Sequence, residues 1–133
     1  MKLLILVFLL FFSTAYATEV PAISPANAAK LVAAGQAVLV DVREPSEWAE
    51  SGVAAPAALL PKSEFDEGMI GEWRDFLKKT GDKQIILYCR SGRRSGLVAA
   101  ALAEKGHKVA NAGGFKDWQA AGLPVRSVAP GKR

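Results

Sequence analysis

The stretch Ile85-Ile86-Leu87-Tyr88-Cys89-Arg90-Ser91-Gly92-Arg93-Arg94-Ser95-Gly96 constrains this chain more than any other. An apolar run with β-branched residues ends at the only cysteine, and a Gly/Ser/Arg loop leads straight into an alanine-rich segment. An apolar run of this length bounded by turn residues reads as a buried strand. Residues 97–105 read as a helix, with Leu97, Val98, Ala101 and Leu102 at its apolar positions and Gly106 as the stop. A loop between a strand's C-terminal end and a helix N-terminus gathers unpaired backbone N–H groups and the positive end of the helix dipole. That is an anion-binding position before any side chain is counted. Arg90, Arg93 and Arg94 then add three positive charges around one sulfur. A thiol placed there ionises more readily than free cysteine, and thiolate is the reactive form. The expectation is a reactive Cys89 at the bottom of an electropositive cup of main-chain amides, open to solvent.

Composition narrows the classes. A chain of 133 residues holds one domain and little else. Half of it is hydrophobic, enough for a core, so intrinsic disorder does not fit. The formal net charge is +4, or +3 without Lys2, and outside the Cys89 loop and the Lys132-Arg133 end the bases are mixed with acids. There is no basic stripe, and nucleic acid is not an expected partner.

Residues 1–17 read as a cleaved signal peptide. Lys2 makes a short positive start, residues 3–12 form an unbroken apolar run, and Ala15-Tyr16-Ala17 offers the small-x-small cleavage pattern. The run is about half of the roughly 20 residues that a spanning helix needs, so no stable membrane anchor is expected after cleavage. In a bacterium the destination would be the periplasm. An exported protein with one cysteine cannot staple itself internally, so Cys89 is inert and buried, paired with another molecule, or reactive. In an oxidising compartment a purposeless exposed thiol is a liability.

Along the chain, residues 18–22 read as a leader. Ser24-Pro25 starts a helix that Gly35 ends, with Ala28, Leu31 and Val32 on one face. Residues 37–42 form a strand whose β-branched content, without polar alternation, suggests a parallel sheet covered on both faces. Pro45 to Glu50 reads as a short helix carrying Trp48, and residues 57–60 as a short strand between Pro56 and Pro61. Ser63-Glu64-Phe65-Asp66 has the form of a capping box, and Phe65, Met69, Trp73, Phe76 and Leu77 follow at helical spacing. Gly68 and Gly71 weaken that helix and suggest two pieces. Lys108-Val109-Ala110-Asn111 reads as a last strand, Gly113-Gly114 as a turn, residues 115–121 as a closing helix with Trp118 inward, and residues 127–133 as a tail. Strands alternating with helices imply an α/β fold, with a central, mainly parallel sheet of about five short strands flanked by helices on both faces. Ligands of such sheets sit beyond the strands' carboxyl ends, where Cys89 falls.

Other chemistries fit less well. His107 lies in a Lys105-Gly106-His107-Lys108 turn and reads as a solvated loop residue, which removes the Cys–His arrangement of cysteine proteases. A dithiol redox motif needs a second cysteine, and no metal is expected without clusters of Cys and His. Asp41 and Arg43 lie at a strand end beside the expected site, where Asp41 either orients a loop group or forms a structural salt bridge with Arg43. Three arginines in a tight loop cannot all face one anion, so backbone N–H groups are expected to do more of the binding.

Three pieces of the chain together resemble the rhodanese family. They are Val40-Asp41-Val42-Arg43-Glu44-Pro45 with Glu47-Trp48, the loop Cys89-Arg90-Ser91-Gly92-Arg93-Arg94-Ser95, and Gly113-Gly114-Phe115 with Trp118 and Gly122-Leu123-Pro124-Val125. Their order and spacing match over residues 23–126. The resemblance implies a single-domain rhodanese-like fold and sulfurtransferase chemistry through a persulfide at Cys89. Arg90, Ser91, Gly92, Arg93, Arg94 and Ser95 would bind the substrate, with Asp41 and Arg43 in support. The implied partners are a small anionic sulfur donor, thiosulfate or a persulfide, and a thiol or cyanide acceptor; no cofactor is implied. Two features depart from the pattern. A Gly-His-Ile-Pro-Gly-Ala-like segment of many relatives is Ser51-Gly52-Val53-Ala54-Ala55-Pro56-Ala57 here. The phosphatase and arsenate-reductase branch resembles a Cys, five residues and an Arg, whereas here the sixth position after Cys89 is Ser95. The shorter loop favours a sulfur atom over a tetrahedral oxyanion. A non-turnover persulfide carrier and a sulfur-binding module remain as alternatives to the enzyme.

Overall fold

The structure is a computed structural model that describes residues 9–10 and 19–133. The expected signal peptide therefore lies, apart from residues 9 and 10, outside the described residues. In chain order the elements are α1 (Pro25–Ala33), β1 (Ala37–Asp41), α2 (Pro45–Ser51), β2 (Val53–Ala54), β3 (Ala58–Leu59), α3 (Lys62–Asp66), α4 (Trp73–Thr80), β4 (Gln84–Cys89), α5 (Arg93–Glu104), β5 (Val109–Gly114), α6 (Phe115–Ala120) and β6 (Val125–Arg126). The main sheet has the order β3-β1-β4-β5, all parallel, and β2 pairs antiparallel with β6 in a separate ribbon. This is the expected α/β architecture with one correction: among the described residues the sheet has four strands rather than about five. The missing rung is partial. At the edge of β5, Ala22 makes a single parallel bridge to Asn111, with the Ile23 N–H on the Asn111 carbonyl at 3.0 Å and the Asn111 N–H on the Pro21 carbonyl at 2.9 Å. Part of the segment read as a leader thus extends the sheet edge.

The strand repeat of two sorts the core into two halves. Leu39, Ile86, Tyr88, Ala110 and Ala112 face Ala28 of α1 and Phe115 and Trp118 of α6. Val40, Ile85, Leu87, Cys89 and Val109 face Trp73 of α4 and Val98, Ala99 and Leu102 of α5. Both faces of β4 are covered, so its run carries no polar alternation. Alternation also points Tyr88 and Cys89 to opposite sides of the sheet.

Local signals explain most helix ends. Ser24 caps α1, its Oγ accepting the Asn27 N–H at 3.1 Å, with Pro25 at the first position. The expected helix after Ser63 is two pieces, α3 and α4, separated by Gly68 and Gly71, which take positive φ. Ser63 does not cap its helix as expected. Pro61 holds the cap position, and Ser63 instead donates from N and Oγ to the Glu44 carboxylate at 3.3 and 2.9 Å. A carboxylate 19 residues away outcompeted the local box. The tail has neither helix nor strand, yet Val128 is buried in the core and Arg133 pairs with Glu64. No helix among the described residues is long and apolar enough to cross a membrane.

Candidate active site

Cys89 is the last residue of β4, and α5 starts four residues later, after a loop of three. Gly92 stands at the helix cap with φ 93°, a left-handed conformation that suits glycine, and no side chain caps the helix. The sulfur takes that role. The Gly92 N–H points at Cys89 Sγ at 3.0 Å, and Ser95 Oγ lies 3.4 Å away. Burial of Cys89 pushes its thiol pKa up, but the hydrogen bonds from the Ser95 hydroxyl and from the amides of Ser95, Ser91 and Gly92 outweigh it and hold the thiol below its ordinary value.

One expectation fails here. The sulfur was to be open to solvent, and Cys89 is 0% exposed. Strand alternation turns its side chain toward α5, where the first turn of that helix closes around it. The charge side of the cup also differs from a ring of three free arginines. Arg94 is spent on Glu47 of α2 in a bidentate pair at 2.5 and 2.9 Å. That hydrogen bond lowers the Glu47 carboxyl pKa and raises that of Arg94. Arg93 is exposed, and Arg90 is exposed at the rim. A cleft of about 420 Å³ opens at this edge, lined by Arg90, Arg94, Arg43, Glu47 and Glu50, with Lys116, Gln119 and Phe115 contributed by α6. Arg43 and Arg94 are already paired, so the cations left to meet an incoming anion are Arg90 and Lys116.

Asp41 and Arg43 sit together at the end of β1, 0% and 4% exposed. Arg43 Nε reaches both Asp41 oxygens at 3.1 Å and Nη2 reaches Oδ2 at 2.8 Å, while the Arg43 backbone N–H reaches Oδ1 at 2.9 Å. The remaining guanidinium donors bind Ser51 Oγ and the Gly52 carbonyl, both at 2.8 Å, and the guanidinium carbon stands 4.5 Å from the Phe115 ring centre. Burial pushes the Arg43 pKa down, and the Asp41 carboxylate more than reverses it. Burial, with Asp41 nearby, drives the Tyr88 phenol well above its usual range. Its oxygen accepts the Ala54 N–H at 2.9 Å. Among the described residues Asp41 accepts no hydrogen bond from the Cys89 loop; the pair is a girder between β1, α2 and α6. His107 lies in the turn before β5, at the opposite edge of the parallel sheet from Cys89.

Sequence reading missed Asn111. Its Oδ1 accepts from Ser95 Oγ at 2.8 Å and from the Gly113 N–H at 3.1 Å, and its Nδ2 donates to the Gly92 carbonyl at 2.8 Å. The available signal was a polar residue inside an otherwise small and apolar strand. Gly114 was read as part of a turn but ends β5, against the loop: a Cβ there would lie 2.4 Å from the Arg90 carbonyl oxygen. Glu50, Lys116 and Gln119 on the cleft wall carried no local signal.

The chain matches the Rhodanese-like domain over residues 24–121. It belongs to the rhodanese-like family. It is 33% identical over 108 residues to the thiosulfate sulfurtransferase GlpE of Actinobacillus succinogenes, covering 80% of this chain and 90% of that one. It is 37% identical over 95 residues to a sulfurtransferase of Allochromatium vinosum, covering 70% and 79%. Against a Schizosaccharomyces pombe relative, 35% identical over 77 residues, it spans about half of that protein's length (54%). Among solved structures, a Rhodopseudomonas palustris protein of unknown function, described as a possible tyrosine phosphatase, superposes with a TM-score of 0.68 at 27% identity, covering 80% of this chain and 85% of that one. Rhodanese-like relatives are therefore named as sulfurtransferases, and the fold is shared more widely.

Proposed function

We propose that this rhodanese-like protein moves sulfane sulfur from thiosulfate or a persulfide donor to a thiophilic acceptor through a persulfide on Cys89. The observation that carries the reading is the sulfur's surroundings: the Gly92 N–H and the Ser95 hydroxyl lie within hydrogen-bonding reach of it at the start of α5, and among the described residues no carboxylate or base bonds to it. The Cys89 thiolate attacks the outer sulfur of thiosulfate, an S–S bond forms, and the old S–S bond breaks as sulfite leaves with its electron pair. The Cys89–S–S⁻ so formed keeps one negative charge in the amide cup, as an oxyanion hole holds oxygen. Cyanide or a thiolate then attacks the outer sulfur and returns Cys89 as thiolate, a covalent two-step scheme. Arg90 and Lys116 draw the anionic donor into the cleft. Because Cys89 is fully buried against the first turn of α5, the donor reaches it only after the loop and that turn open locally.

That burial favours a second reading, in which the protein is a persulfide carrier that shields the outer sulfur and hands it to a partner protein. Thiosulfate and cyanide with the protein, beside Cys89→Ser, separate the two. Thiocyanate formed over many cycles and lost in the variant supports the enzyme. One added sulfur on the intact mass without turnover supports the carrier. No sulfur gained at Cys89 overturns both, leaving a non-turnover binding module or the phosphatase chemistry that the shared fold also permits.

The same proposal includes export: residues 1–17 as a signal peptide, cleavage after Ala17, and work in the periplasm of a bacterium. A secreted fraction whose intact mass begins at Thr18 is the expected result; retention of Met1 in that fraction would refute it.

A further inference from the structure

The Ser95 hydroxyl has one proton and two claimants. Cys89 Sγ lies 3.4 Å from its oxygen, and Asn111 Oδ1 lies 2.8 Å away. The orientation of the Asn111 amide is forced by two backbone groups of unambiguous polarity. The Gly92 carbonyl can only accept and so faces Nδ2, and the Gly113 N–H can only donate and so faces Oδ1. With Oδ1 turned to Ser95, the hydroxyl proton must lie on that line. The Ser95 oxygen is then free to accept, and the partner it meets is the S–H of a neutral Cys89. Gly96 leaves the space that the amide uses: a Cβ there would lie 3.2 Å from Asn111 Nδ2. Ser95 itself is fully buried, and water does not compete for its proton.

We propose that Asn111 is a positioning residue that holds the Ser95 proton away from the Cys89 sulfur in the neutral thiol and yields it when the sulfur becomes charged. In the thiol the chain of bonds runs from Cys89 S–H to Ser95 O–H to Asn111. When Cys89 loses its proton, the hydroxyl rotates, the Asn111 bond breaks, and a charge-assisted O–H···S⁻ bond forms. No atom is gained or lost besides the thiol proton, which passes to solvent. Asn111 thus acts against ionisation while its other bonds hold the loop. The inference concerns the same sulfur as the proposed sulfur transfer, but it stands on thiol ionisation and needs no turnover.

The charged groups around this sulfur come from several elements. Arg90 and Arg93 belong to the loop and first turn, Arg94 of α5 is paired with Glu47 of α2, and Asp41 at the end of β1 is paired with Arg43 just beyond it. β5 contributes the neutral Asn111, and Asp117 of α6 accepts the Gly114 N–H at 3.0 Å. None of the charged groups changes in the variants below, so a shift reports the hydroxyl.

The test is the pH dependence of Cys89 alkylation by iodoacetamide in four proteins: unaltered, Asn111→Ala, Ser95→Ala and both together. Removing a competing neutral hydrogen bond should lower the Cys89 midpoint in Asn111→Ala by roughly half to one pH unit. Ser95→Ala should raise it, and in that background Asn111→Ala should do nothing. A merely structural Asn111 would shift the midpoint equally in both backgrounds, or raise it by loosening the loop; either result overturns the proposal. Should Asn111→Ala fail to fold, the unaltered protein supplies the second measurement, the side-chain carbonyl ¹³C shift of Asn111. It should titrate with the Cys89 midpoint, and a shift that stays constant through that titration overturns the inference. Loss of thiocyanate formation with these midpoints intact would count against sulfur transfer alone.

Discussion

Two neighbouring parallel strands, β1 and β4, end at the same edge of the sheet in polar groups, and the two ends behave differently. At the end of β1, Asp41 and Arg43 saturate each other: the carboxylate takes three guanidinium contacts and one backbone N–H, and the spare guanidinium donors go to Ser51 and Gly52. At the end of β4, several donors converge on one sulfur that holds no countercharge of its own. A buried pair whose bonds are complete is a brace, whereas a surplus of donors around a soft nucleophile stabilises added negative charge. Of the two ends, the one that carries both formal charges is the one whose bonds are already complete.

Five measurements break or sharpen that contrast. Cys89→Ser should reduce thiocyanate formation at least about a thousandfold while leaving the thermal midpoint little changed, because a nucleophile is removed and a small side chain kept. Asp41→Ala should do the reverse in kind. It leaves Arg43 buried and unpaired, and chemical denaturation should show a loss of about 3–5 kcal/mol. An Asp41 variant as stable as the parent would reduce the pair to ornament. Gly114→Ala should push the Arg90 carbonyl, and the cup with it, out of place, lowering kcat/KM about ten- to a hundredfold. Its thermal midpoint should fall less than that of Asp41→Ala.

The fourth concerns pH. Cys89 is an acid whose folded pKa lies below its unfolded value of roughly 8.5, so its ionisation favours the fold above that value and the contribution is lost as pH falls through the folded pKa. Alkylation of the native protein should accordingly have its midpoint below that of the urea-unfolded chain; a midpoint at or above it would mean that desolvation wins. The smallest effect belongs to Arg90→Ala. It should raise KM for thiosulfate a few-fold at low salt, and the difference should shrink at high ionic strength. An unchanged KM would leave attraction of the donor to Lys116.

Much of this was legible in the chain because it is encoded locally. Ser24-Pro25 starts a helix by its own side chain and ring, the Ile85–Cys89 run is apolar on both faces because both are covered, and Gly92 supplies the left-handed residue where strand turns to helix. The illegible parts are contacts between distant residues. Arg94 finds Glu47 across 47 positions, Ser95 finds Asn111 across 16, and Glu44 takes Ser63 from its expected cap across 19. No window of sequence carries such a pairing, since a carboxylate looks the same whether it will meet water or a guanidinium.

The order of the residues by itself determined that a cysteine ends a buried strand and that amides crowd the start of the helix after it, because backbone geometry follows from near neighbours. Only the tertiary structure decided which arginines stay free, that the sulfur is sealed, and where the Ser95 proton points. Those outcomes depend on which side chains the strand order β3-β1-β4-β5 brings within hydrogen-bonding reach.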